Sequence, residues 1–216
     1  MTKIKICGLK RIDDVQYVNK YLPDYIGFVF AESKRKVTME QAAELREGLD
    51  SRIKAVGVFV NESLDKVVEI ADKCRLDAIQ LHGDEDGQYV EKLKSSIKSV
   101  EIWKAIRVKD ESSLLLLNEY KVDAFVLDAF VEGTYGGVGK VFDWKLAKLA
   151  KEYGRIIVAG GLSVDNVSDA VELVMAYGMD VSSNVETDGV KDELKIHGFI
   201  EKVRKFILSE YLVLII

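Results

Sequence analysis

The chain has 216 residues, 48% of them hydrophobic and 31% charged, enough to bury a full core without disulfide or metal support. Its 31 basic and 36 acidic residues leave a net charge of -5, which supplies no electrostatic footprint for nucleic acid or an anionic membrane. No run reaches the ~18 apolar residues of a membrane span, and the opening TKIKICG lacks the apolar core of a signal peptide, so a cytoplasmic protein is expected.

Apolar, β-branched runs recur along the whole chain, each followed by a helical pattern. They predict strands at Lys3–Cys7, Tyr25–Phe30, Lys54–Val60, Ala78–Leu81, Glu101–Ile106, Ala124–Asp128, Ile156–Ala159 and Met179–Ser182. A spacing of about 20 to 35 residues between successive strands is the period of a (β/α)8 TIM barrel. With one proline and no low-complexity stretch to serve as a linker, a single domain over 1–216 is expected, with an apolar C-terminal tail at 209–216 that should pack on the barrel or on a second copy. Among the helices, Leu64, Val67, Val68, Ala71 and Cys74 share one face, which makes Cys74 a core filler. Thr38 with Gln41 reads as a capping box, and Ser163 or Asp165 as the cap of the helix after the seventh strand.

Parallel strands with crossover helices gather catalytic groups at the carboxyl ends of the strands. The first strand ends in Cys7, followed at once by Gly8, on the rim where a reactive thiol belongs; Cys7 and Cys74 lack the spacing of a zinc or disulfide site. Arg35 lies in the polar loop after the second strand, and His82 just past the fourth, whereas His197 sits inside the last helix. Asp128 closes the apolar run Phe125–Val126–Leu127, which favours a partly desolvated acid over a turn cap. The loop after it, EGTYGGVGKVFDW, is glycine-dense and long, as an active-site loop is, and it is no nucleotide P-loop because Val141 follows Gly139–Lys140. Gly160, Gly161, Ser182, Ser183 and Asn184 begin the loops after the last two strands. Small residues there let backbone N–H groups approach a phosphate, so a phosphate monoester is the expected ligand.

With KICGLKRIDD, GFVFAESKR, GVFVN, QLHG, LDAF, YGGVGKVFDW, AGGLSVDNV and DVSSNVE in register, the chain resembles the phosphoribosylanthranilate isomerase family over nearly its whole length. The resemblance implies an Amadori rearrangement of N-(5-phosphoribosyl)anthranilate in tryptophan biosynthesis, without cofactor or metal, by a monomer or homodimer. It implies that Cys7 is the general base and Asp128 the general acid, that Arg35 holds the anthranilate carboxylate, that His82 and Asp180 contact substrate, and that Gly160, Gly161, Ser182, Ser183 and Asn184 hold phosphate. Lys36 stands where the family commonly has an aromatic residue, and Asn184 where it has glycine; Asn184 is therefore expected at positive φ. The tail lies beyond the resemblance.

Two other readings compete. Indole-glycerol-phosphate synthase needs a lysine pair with a glutamate, and a ribulose-phosphate epimerase needs a metal set of His and Asp, which the lone rim His82 does not supply. A silent sugar-phosphate-binding barrel fits the fold, but it has no use for Cys7 and Asp128 together.

Overall fold

The computed structural model describes residues 1–129 and 143–213, with side chains through Lys205. Eight parallel strands close a barrel in sequence order: β1 Lys3–Cys7, β2 Tyr25–Val29, β3 Lys54–Phe59, β4 Ala78–Leu81, β5 Glu101–Val108, β6 Ala124–Ala129, β7 Ile156–Val158 and β8 Gly178–Val181. The (β/α)8 barrel expected from the strand period is thus found, with strand ends shifted by two residues at most. Around it run α1 Ile12–Tyr21, α2 Met39–Glu47, α3 Leu64–Lys73, α4 Gly87–Ser96, α5 Trp144–Ala150, α6 Val167–Val174 and α7 Glu193–Val213. A short antiparallel hairpin, β9 Glu186–Thr187 with β10 Val190–Lys191, follows β8.

A parallel barrel has no solvent face, so both sides of each strand are buried. In β1, Ile4 and Ile6 pack outward into the large cluster beneath the helices. A second cluster fills the barrel itself, with Tyr25 meeting Trp103 edge-on among Val56, Ala78, Ala105 and Val126. The space left by the small side chains takes polar ones: Lys5, Gln80 and Asp180 are buried and project inward.

Between β5 and β6 the chain forms a 3-10 segment, Glu111–Glu119, instead of an α-helix. Its apolar signal is Leu114 and Leu117, both buried, at the three-residue repeat a 3-10 helix places on one face, while Leu115 and Leu116 are exposed. The Thr38–Gln41 capping box forms as expected, and Cys74 is fully buried. The expected cap of α6 needs correction: Asn166, not Ser163 or Asp165, is its N-cap residue, and its side chain caps no helical N–H but turns back to accept from the Ser163 N–H. The glycine-dense loop lies mostly in 130–142, outside the described residues, as do the side chains of the tail.

At the amino-terminal face one device recurs. Asp24, Asp77 and Asp123 directly precede β2, β4 and β6, and each accepts from a backbone N–H of the preceding strand: Ile4, Ala55 and Ile102, at 3.0, 2.8 and 2.8 Å. Each carboxylate pins the start of one strand to its neighbour. Asp77→Ala, which leaves the Ala55 N–H unpaired, should lower stability by about 1–3 kcal/mol in urea unfolding.

Candidate active site

The carboxyl end of the barrel is built from inward residues at the ends of β1, β4, β6 and β8. Cys7 is the last residue of β1 and is buried. Gly27 is its Cα partner on β2, and a Cβ at that position would lie 2.7 Å from the Cys7 Sγ, so the thiol fills space that only glycine leaves. Gly8, at φ 86°, turns the chain away, and a Cβ there would fall 2.4 Å from Arg35 Cδ.

Lys5 lies beneath Cys7 on the same strand face, and its Nζ donates to Asp180 Oδ2 at 2.7 Å and to Gln80 Oε1 at 2.9 Å. An ammonium only donates, so Gln80 must turn its oxygen to Lys5 and its NH2 to His82, whose Nδ1 is 2.8 Å away. Nδ1 therefore accepts, and the neutral imidazole carries its proton on Nε2, which faces Asp128 Oδ2 at 3.4 Å. The other Asp128 oxygen accepts from the Ala129 N–H at 2.8 Å. Asp128 is buried. Asp180 Oδ1 and His82 Nε2 are buried without a hydrogen-bond partner among the described residues.

A second charged group stands above Cys7. The Arg35 Nε and Nη2 atoms donate to the two Glu186 oxygens at 2.6 and 2.9 Å. The buried Lys191 donates to Glu186 Oε1 at 2.7 Å and to the Ser182 carbonyl at 2.9 Å. Burial favours the neutral acid at Glu186, yet Arg35 and Lys191 together hold it below its ordinary range. Burial pushes Lys191 down and the Cys7 thiol up, with Lys5 the largest opposing influence on the thiol. Lys5 is held above its ordinary value: burial opposes its charge, but Asp180 and Cys7 outweigh that.

On the loop after β7, Gly160 and Gly161 adopt φ 74° and 67°, a conformation glycine takes freely. The Ser182 hydroxyl is spent on the Cys7 carbonyl. Asn184 corrects an expectation: it lies in a 3-10 turn and is not among the residues at positive φ, and its amide braces the β7 loop by donating to the Leu162 carbonyl at 2.9 Å. The turn after β8 needs no left-handed residue there. His197 stacks on Tyr21 in the outer layer, away from this mouth.

The structure thus brings Cys7, His82, Asp128 and Asp180 to one polar centre, sets Arg35 on Glu186 above it, and puts Gly160, Gly161, Ser182 and Ser183 on adjacent loops. The sequence reading missed Lys5, Gln80, Glu186 and Lys191. Lys5 and Gln80 carried a signal, since a polar inward residue within a parallel strand must find a partner; Glu186 lies 151 residues from Arg35 and carried none.

A thiol and a carboxyl group lie at the carboxyl mouth of a closed parallel barrel, the face on which (β/α)8 enzymes carry their active sites. A family model described as N-(5'phosphoribosyl)anthranilate (PRA) isomerase matches residues 4–202. The isomerase of Acetivibrio thermocellus is 56% identical over 211 residues, spanning 95% of this chain and 97% of that one. That of Clostridium acetobutylicum is 48% identical over 208 residues, spanning 95% and 100%. The crystal structure of the Thermotoga maritima isomerase superposes with a TM-score of 0.85 at 32% identity, covering 95% of this chain and 100% of that one. A structure of the isomerase in complex with reduced 1-(o-carboxyphenylamino)-1-deoxyribulose 5-phosphate gives 0.82 at 31% identity, covering 95% and 100%. The chain belongs to the phosphoribosylanthranilate isomerase family.

The fit of Cys7 against Gly27 makes a direct prediction. Gly27→Ala must displace the thiol, and a shift of about 1 Å at a reacting group costs on the order of 10²-fold in rate. Turnover should fall by that order while the far-ultraviolet circular dichroism spectrum stays that of the parent.

Proposed function

We propose that Asp128 and Cys7 are the acid and the base with which this isomerase converts N-(5-phosphoribosyl)anthranilate to 1-(2-carboxyphenylamino)-1-deoxyribulose 5-phosphate in tryptophan biosynthesis. Protonated Asp128 gives its proton to the furanose ring oxygen, the bond from that oxygen to C1 breaks, and the nitrogen lone pair forms the Schiff base. The Cys7 thiolate then takes the proton from C2, giving an enolamine that ketonises as C1 gains a proton and the C2 hydroxyl loses one. The carboxylate left on Asp128 has one donor in place, the Ala129 N–H, and the protonated His82 Nε2 lies 3.4 Å from its other oxygen. The observation that carries this reading is the oriented polar run from Asp180 through Lys5, Gln80 and His82 to Asp128, with Cys7 above Lys5.

The unpartnered Asp180 Oδ1 is an acceptor for a ribose hydroxyl. Arg35 gives one edge of its guanidinium to Glu186 and keeps the end of its fork for the anthranilate carboxylate. The phosphate lies on the N–H groups of the loops beginning at Gly160 and Ser182, with Ser183 beside them; Asn184 contributes by bracing the loops through its side-chain amide. A single domain acting as a monomer or homodimer, in the reducing cytoplasm that keeps Cys7 and Cys74 free, completes the proposal.

Cys7→Ala should lower kcat by roughly 10²-fold to 10⁴-fold, the contribution of one general base, with product affinity nearly unchanged. Loss of substrate fluorescence at the parent rate in this variant would remove Cys7 from the mechanism. Asp128→Asn should be similarly damaging, as the amide is nearly isosteric but has no acidic proton to give. Arg35→Ala, by contrast, should raise KM more than it lowers kcat, because a carboxylate clamp serves ground and transition states alike; steady-state kinetics separate the two.

A further inference from the structure

Cys7 sits where burial opposes a negative charge, yet a base must carry one before it accepts a proton. Four charged groups face it: Lys5 on its own strand, Asp180 on β8, Lys191 on β10 and Arg35 from the loop after β2. Arg35 and Lys191 both spend charge on Glu186, and burial weakens the charge of Lys191 further. Lys5 differs in being fixed from two sides of the barrel, by Asp180 and by Gln80. Two of its three ammonium protons are committed to those partners, and Cys7, two residues on along the same inward face, is the neighbour to which the ammonium also couples.

We propose that Lys5 is the positioning residue for the base: its ammonium, held by Asp180 and Gln80, stabilises the negative charge that Cys7 carries before it takes the C2 proton. This rests on the reading of Cys7 as base and assigns a function to a lysine that the acid–base steps do not use. It also explains why the barrel keeps a fully buried cation beneath the thiol where an apolar side chain would fill the space at no electrostatic cost.

The test reads the thiol itself. In a Cys74→Ala background, so that Cys7 is the only cysteine, the alkylation rate of the free enzyme with iodoacetamide is followed from neutral to alkaline pH. Lys5→Met should move the midpoint of that profile upward by about one pH unit or more. The change leaves Asp180 buried without its cation, so a second variant separates the loss of the ammonium from the stranded carboxylate. The double variant Lys5→Met/Asp180→Asn removes the carboxylate's charge altogether and should show the same upward movement, as Lys5 outweighs Asp180 at the thiol. An unmoved midpoint in a folded Lys5→Met protein would overturn the proposal. A midpoint that moves in the single variant but returns to the parent value in the double one would also overturn it, by assigning the effect to the stranded carboxylate. No substrate is present in these measurements, so they judge the coupling of Lys5 to Cys7, while the turnover of Cys7→Ala judges the role of Cys7 as base.

Discussion

The Lys5–Asp180 ion pair is the contact on which the rest of the barrel depends. The two residues are direct Cα partners where β1 meets β8, the seam that closes the sheet, and their side chains join inside at 2.7 Å. Slipping the seam by one residue would turn one charge outward into the apolar layer and strand the other in the interior, so the pair fixes register at the one junction that no hairpin or crossover constrains. A buried ion pair contributes little net stability against a well-packed apolar pair, and its use here is specification of that register. Gln80 extends the tie to β4, across the barrel, and passes a fixed hydrogen-bond direction to His82, whose Nε2 faces Asp128 at 3.4 Å. One ammonium thereby sets both the closure of the fold and the orientation of the groups at its mouth.

Above this centre the chain solves a different problem. Arg35, Glu186 and Lys191 place two cations against one anion, leaving the cluster one positive charge in excess. Glu186 and Lys191 belong to the β9–β10 hairpin, so that small ribbon acts as a bracket holding the guanidinium in place over Cys7. The first βα turn is shaped to suit: Gly8 leaves room for the Arg35 side chain while turning the backbone at positive φ, two demands that no other residue meets together.

Much of this was legible in the sequence because a parallel barrel writes itself as a period. The strands show as β-branched runs at regular spacing, and the residue closing each run falls at the mouth, which is why Cys7, His82 and Asp128 could be placed without coordinates. What could not be read depended on geometry across long separations or on which residue of a turn bears the strain. Glu186 reaches Arg35 only because β8 returns to β1. Positive φ went to Gly160 and Gly161, while Asn184 entered a 3-10 turn whose side-chain bond to Leu162 makes a left-handed residue unnecessary. KIKIC alternates as a half-exposed strand would, but in a barrel neither face is wet, and that makes Lys5 an internal cation in need of a partner.

The charge of the whole chain and the charge at its mouth also separate. A net charge of -5 disfavours an anionic substrate, but at physiological ionic strength screening confines that repulsion to about 8 Å. On the reading proposed here, the carboxylate meets the one excess positive charge of the Arg35 cluster, and the phosphate meets neutral backbone N–H groups where the glycines let it come close. Dividing the anions in this way keeps the strongest cation near the base away from the phosphate. Lys191 stands beside the phosphate loops but spends its protons on Glu186 and the Ser182 carbonyl, so the N–H dipoles fixed by the turns grip phosphate without a second clamp for the carboxylate. The spatial order of a neutral anion cradle, a buried ammonium and a half-neutralised guanidinium therefore orients the substrate, setting C2 over the thiol and the ring oxygen toward Asp128.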